Sequence, residues 1–317
     1  MTSTLKGRNL LSIEDLTREE IFEILDTAVI FKKIILEKAG DYQRVLKEMA
    51  VPCVYEKPSS RTRGSFAQAI ALLGGNAYEP LNPGERLGER EPIQDSANVW
   101  SRYHPCIIAR VFAHKTLEEL ALHAKVPVIN ALSDDEHPCQ VLADLLTIYE
   151  KKDSLDGLKI AWIGDGTNVC NSWISLAGKL GMDYVIAVPE AEEYQPNLDL
   201  VKKYDTVRLI HDPAEAVRDA DVVITDTFVS MGKVSAEQRK RDLAPYQLNL
   251  PLLKLARPDV LALNCMPMYR GQEITEEVLH QHIDGITVYD GILDEAENRL
   301  YTAIAVLYLL LDGKPLE

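Results

Sequence analysis

The sequence predicts an α/β protein made of two doubly wound parallel-sheet domains, and three observations point there. Short β-rich runs alternate with stretches of about 10 to 18 residues at helical spacing, the pattern of parallel sheets with helices on both faces. The 317 residues suffice for two domains at about 100 to 200 residues each. A polar, turn-forming break, Lys151-Lys152-Asp153-Ser154-Leu155-Asp156-Gly157, falls near the middle of the chain. The expected domains are 1–150 and 151–299. A terminal helical stretch, 300–317, is expected to return to the first domain.

Taken in order, Ile21, Ile24, Leu25, Ala28 and Phe31 recur at helical spacing within 19–38, with Thr17 and Glu20 forming a capping-box pattern. Strands are then expected at 51–55, 106–111, 126–131, 159–163, 184–188, 207–210, 222–225, 260–263 and 286–289. A helix over 61–73 is stopped by Gly74-Gly75. A second begins at Pro138, and 301–311 is apolar and helical.

Composition removes several function classes. With 46% hydrophobic and 26% charged residues, the chain is neither disordered nor fibrous. A net charge of -15 disfavours nucleic-acid and anionic-membrane partners, and no stretch of 18 uncharged apolar residues provides a membrane span. An anionic ligand therefore needs a local cluster of donors. Cys53, Cys106, Cys139, Cys170 and Cys265 are odd in number and form no C-x-x-C pair, which argues against a disulfide framework or structural zinc. The absence of a signal-peptide core at the N-terminus and the cysteine usage lead us to expect a cytoplasmic protein.

Such a donor cluster stands at the strand-to-helix turn Ser59-Ser60-Arg61-Thr62-Arg63. Free helix N–H groups, hydroxyls and guanidinium groups there would all favour a phosphate. Capping by a serine, with the arginines in solvent, is the alternative. In His137-Pro138-Cys139-Gln140, the histidine caps a helix and the amide follows one turn later, at the carboxyl end of a strand where α/β sheets place ligands. The pair either holds a carbonyl and an amino group or serves the helix alone. Gly164-Asp165-Gly166-Thr167-Asn168 imitates a dinucleotide loop, but Val169 stands where its third glycine belongs. Asp226 ends another strand, placed to pair with an ammonium group. Cys265, after a further strand, is either reactive or a small buried hydrophobe.

Together and in this order, Ser59-Ser60-Arg61-Thr62-Arg63, His137-Pro138-Cys139-Gln140, Asp226 to Ser230-Met231-Gly232, Asn264-Cys265-Met266-Pro267 and Ala296-Glu297-Asn298-Arg299 resemble the aspartate/ornithine carbamoyltransferase family, and within it the ornithine branch. The resemblance implies two α/β domains joined by two helices, one for carbamoyl phosphate and one for the amino substrate, in a homotrimer or a multiple of it. It implies transfer of the carbamoyl group of carbamoyl phosphate to the side-chain amine of L-ornithine, giving L-citrulline and phosphate. Putrescine, lysine or an acylated ornithine is the alternative acceptor. No metal or organic cofactor is expected, since carbamoyl phosphate is already activated.

By resemblance, Ser59, Ser60, Arg61, Thr62 and Arg110 hold the phosphate, and His137, Gln140 and Arg299 surround the carbamoyl group with main-chain groups at Cys265 and Met266. Asn168, Asp226, Ser230 and Met231 bind ornithine, with Cys265 beside the reacting amine. Catalysis falls to Arg61, Arg110, His137, Cys265 and Arg299, and Arg63 is expected to join the local concentration of positive charge. The chain departs from the family at Asn264, where His is usual, at Phe228, where Trp is usual, and at Tyr269, where His is frequent. The charged loop 81–94, with Arg86, either reaches a neighbouring subunit's phosphate or is solvated.

Overall fold

The computed structural model describes residues 3–37, 45–229 and 236–312. The chain divides into two units, Met1–Leu146 with Asn298–Glu317 and Thr147–Glu297. Both boundaries fall inside helices, Pro138–Lys152 and Val288–Leu311, so two helices join the units.

The first unit is built on four parallel strands: β1 (Ala50–Tyr55), β2 (Asn76–Tyr78), β3 (Ile107–Arg110) and β4 (Val128–Leu132). Their order is β2-β1-β3-β4, so the crossover direction reverses between β1 and β3. A crevice opens at such a switch point, outside the carboxyl ends of the two strands. Tyr55 and Arg110 are register partners at those ends. β1 and β3 are buried nearly throughout, as expected of strands covered on both faces. Helix Arg18–Leu36 opens on the anticipated Thr17–Glu20 capping box and buries Ile21, Ile24, Leu25, Ala28 and Phe31. The Phe31 ring meets Tyr308 edge-on at 5.1 Å, which packs the end of Val288–Leu311 into this unit.

The second unit holds β5 (Lys159–Ile163), β6 (Asp183–Ala187), β7 (Val207–Ile210), β8 (Val222–Thr225) and β9 (Leu261–Asn264), all parallel, in the order β7-β6-β5-β8-β9. Its switch point lies between β5 and β8. The core gathers Ala161, Ile163, Val185 and Val223 from the strands with Phe228, Leu253, Ile274 and Ile292.

Two local expectations fail. The run 286–289 is not a strand of the parallel sheet. Ile286–Thr287 (β11) pairs antiparallel with His282–Ile283 (β10), and the helix starts at Val288, where the apolar residues take up helical spacing. β2, three exposed residues, carries no apolar run that would announce it. None of the five cysteines is in a disulfide, and among the described residues no helix is long and apolar enough to cross a membrane.

Candidate active site

In the first unit, the donor-rich turn sits at the β1/β3 switch point. Ser59 Oγ accepts the Thr62 N–H at 3.2 Å, so Ser59 caps helix Arg61–Leu72, whereas Ser60 is exposed and makes no side-chain cap. Arg61 is half-buried, and its Nε makes no hydrogen bond among the described residues. Thr62 is buried, and its Oγ1 accepts from Arg299 at 2.8 Å and from Arg110 at 3.4 Å. Residues far apart in sequence thus bring two guanidinium groups to one hydroxyl. Held this close in a poorly solvated place, two like charges favour an anion beside them.

His137 and Gln140 stand at the β4 end. The turn before them is closed by Ser133, whose N–H donates to Glu136 O at 2.8 Å and whose Oγ accepts the Glu136 N–H at 3.1 Å. Pro138 takes the first helical position. Burial, then the nearby Arg299 and Arg110 charges, hold the His137 imidazole well below its usual range, so it is neutral at pH 7. A neutral ring can donate one N–H without adding a third cation. Gln140 Nε2 donates to Asp144 Oδ1 at 2.8 Å, which fixes the amide's orientation.

Arg63 does not join this cluster. It is exposed, paired with Glu79 at 2.9 Å and stacked over Tyr55 at 5.0 Å. Arg86 lies 4.3 Å over the Phe112 ring, which also meets Lys57 Nζ at 4.6 Å. The Glu56 carboxylate accepts the Leu87 and Phe112 N–H groups, each at 3.0 Å, and so moors loop 81–94 to the ends of β1 and β3.

In the second unit, the β5 turn owes its glycines to geometry. Gly164 has φ +129°, and a Cβ on Gly166 would lie 2.3 Å from Pro196 N and 2.6 Å from Tyr194 O. Neither requirement concerns a nucleotide. Asn168, half-buried, starts helix Asn168–Leu180.

At the β8 end, Asp226 is buried. Its Oδ1 accepts from the Cys265 thiol at 2.9 Å and from Thr227 N–H at 2.6 Å, and its Oδ2 accepts from Thr167 at 3.1 Å. Burial nevertheless raises the carboxyl above the usual aspartate range. Cys265 is half-buried, unlike the other four cysteines. Asn264 Oδ1 accepts the Met266 N–H at 2.8 Å, and Glu295 accepts the Asn264 N–H at 2.9 Å. Asn264 thereby shapes the main chain at Cys265 and Met266, where Met266 has φ +53° and the Met266–Pro267 bond is cis. Phe228 is buried against Gly164, while the Tyr269 side chain is exposed. Ser230 and Met231 lie outside the described residues.

Three groups to which the sequence assigned no role organise this end. Arg239 and Asp165 form a buried ion pair, and Arg239 Nε donates to Phe228 O at 3.1 Å. Glu273 is fully buried and accepts the Tyr269 N–H, and burial pushes its carboxyl up to about 7. Arg239 and Glu273 are charged letters in polar stretches, indistinguishable by sequence from solvated ones, and Asp165 follows a strand in a turn that does not announce its partner.

Comparison with known proteins agrees with this division. Residues 8–150 match the carbamoyl-P binding domain of aspartate/ornithine carbamoyltransferase, and residues 156–310 match its Asp/Orn binding domain. A Pyrococcus horikoshii protein named ornithine carbamoyltransferase is 44% identical over 322 residues, covering 99% of this chain and 98% of its own. One from Pyrococcus furiosus, named ornithine carbamoyltransferase, anabolic, is 43% identical and covered to 99% on both sides. The solved ornithine carbamoyltransferase from Pyrococcus furiosus superposes with a TM-score of 0.90 at 42% identity, over 99% of this chain and 100% of that one. Matched across both domains and nearly its full length, the chain belongs to the aspartate/ornithine carbamoyltransferase family.

Proposed function

We propose that this protein is an ornithine carbamoyltransferase, moving the carbamoyl group of carbamoyl phosphate to the side-chain amine of L-ornithine to give L-citrulline and phosphate. One observation carries the reading: Arg110 and Arg299 converge on buried Thr62 in one unit, while the other holds a buried Asp226 bonded to the Cys265 thiol.

Carbamoyl phosphate occupies the first unit. Ser59, Ser60, Arg61, Thr62 and Arg110 hold its phosphate, and Gln140 orients the carbamoyl amide. The uncharged amine attacks the carbonyl carbon, a tetrahedral oxyanion forms, the C–O bond to phosphate breaks, and the nitrogen's surplus proton passes to the departing phosphate or to the Cys265 side of the site. Thr62, neutral His137 and Arg299 donate to the oxyanion, with main-chain groups at Cys265 and Met266 beside it. Arg61 and Arg110 offset charge on the departing phosphate. Ornithine is held by Asn168, Asp226, Ser230 and Met231, with Asp226 accepting from its α-ammonium group and Cys265 near the reacting amine. The mixed anhydride bond supplies the driving force, so the chain's own donors suffice.

The protein acts in the cytoplasm as a homotrimer or a multiple of it, without a nucleic-acid or membrane partner. Light scattering is expected to give three times the 35.5 kDa chain mass, or a multiple. The decisive assay is citrulline formation from carbamoyl phosphate across a panel of ornithine, lysine, putrescine and acetylornithine. Ornithine is expected to lead, and a rate no higher than with the others overturns the acceptor.

A further inference from the structure

Asp165 and Arg239 are both buried, at 1% and 5% exposure, and form an ion pair with no part in the chemistry above. Charges so removed from water are costly unless paired and hydrogen-bonded, and their replacement by apolar residues is often neutral or stabilising. A reason for this pair other than stability lies in where its ends attach.

Asp165 belongs to the turn after β5, between Gly164 and Asn168. Its carbonyl accepts from Trp162 Nε1 at 3.0 Å, which ties that turn to the strand. Arg239 lies on helix Ala236–Leu243, and its Nε donates to Phe228 O at 3.1 Å, two residues beyond Asp226. Its guanidinium plane rests over the Tyr194 ring at 4.7 Å, and Tyr194 O in turn receives the Gly166 N–H at 2.9 Å. One side chain therefore holds the turn after β5 through Asp165 and the turn after β8 through Phe228. Those two turns form the two sides of the β5/β8 switch point and carry Asn168 and Asp226.

We propose that Arg239, through Asp165 and the Phe228 carbonyl, is a positioning residue that sets the separation of Asn168 and Asp226 and so determines affinity for the acceptor amine. The planar guanidinium is suited to the task, because it serves a carboxylate and a carbonyl from fixed directions at once, which a lysine ammonium does not. Arg239 touches neither substrate. The inference rests on the assignment of Asn168 and Asp226 to the acceptor.

The test uses the full chain. In Arg239→Lys, which keeps the buried charge, and in the double variant Asp165→Asn with Arg239→Gln, which removes both charges together, the acceptor KM is expected to rise about tenfold or more, the size of one charge-assisted hydrogen bond lost. Both kcat and the carbamoyl-phosphate KM should stay within about twofold. A merely structural pair would lower the melting temperature and the active fraction without shifting one KM alone. An acceptor KM unchanged in either folded variant, or a carbamoyl-phosphate KM rising in step with it, overturns the proposal. The acceptor used is whichever amine the wild type turns over best. Preference for an amine other than ornithine would thus overturn the acceptor assignment alone, leaving this split still measurable.

Discussion

At the β1/β3 end of the first unit, the candidate functional groups are side chains that meet one another directly, with the charged Arg110 and Arg299 on the Thr62 hydroxyl. At the β5/β8 end of the second unit, much of the work falls to the main chain. Asp226 is steadied by the Thr227 N–H, the bend at Cys265 and Met266 by Asn264, and the Phe228 carbonyl by Arg239. The difference follows from what each end would recognise. A phosphate is a dense charge satisfied by many donors from many directions, so residue identity matters most there. An amino acid must be told from its neighbours by the spacing of its ends, which only the shape of turns can set. The sequence departures Phe228, Asn264 and Tyr269 all fall in the second unit.

The contrast predicts effects of unequal size. Arg61→Ala is expected to lower kcat/KM about 100- to 1000-fold, as loss of a transition-state donor does, with little change in melting temperature because the side chain is half-buried at a helix start. Steady-state phosphate release measures it, and near-normal turnover would remove the anion site from this turn. Asp226→Asn keeps the shape of the side chain while losing the charge and one of its two accepting oxygens. It should raise the ornithine KM about 10- to 100-fold, corresponding to roughly 1.5–3 kcal/mol, and leave the carbamoyl-phosphate KM alone. Equal changes in both constants would erase the distinction between the two ends.

The smallest effect is in stability. Glu273 titrates near 7 when folded, against an ordinary value of 4.5, so folding draws a proton onto it. Its stabilising contribution is complete below 4.5 and fades as pH rises towards 7. Glu273→Gln should therefore flatten this loss, and melting curves from about pH 5 to pH 8 should show the variant gaining on the wild type. A constant difference across that range would mean that the carboxyl stays charged throughout.

Much of the fold was legible because buried parallel strands are near-continuous apolar runs. β5, β7 and β8 appear at their predicted limits, and most of the others within two residues. β2 escaped because an exposed three-residue strand needs no apolar side chains. The 286–289 run misled because four apolar and β-branched residues suit a short hairpin arm and the first turn of a helix equally well. In the candidate site, Thr62, His137 and Gln140 stood out in local motifs, whereas Arg110 and Arg299 entered only through the family resemblance. Arg63 shows the limit of such reading: two positions from Arg61 on a helix, it must face elsewhere, and it finds Glu79. The Asp165–Arg239 pair joins residues 74 positions apart, and no local pattern marks either partner.

The Thr62 hydroxyl carries a consequence of its own. A hydroxyl has two lone pairs and one proton, and here both lone pairs are engaged by guanidinium donors. Its proton is thereby left with a single direction in which to point, and the two cations drain electron density from the oxygen that bears it. Tolerance at this position is then set by the count of lone pairs rather than by volume. Serine keeps the hydroxyl, whereas valine, the nearest match in shape, offers neither guanidinium a lone pair.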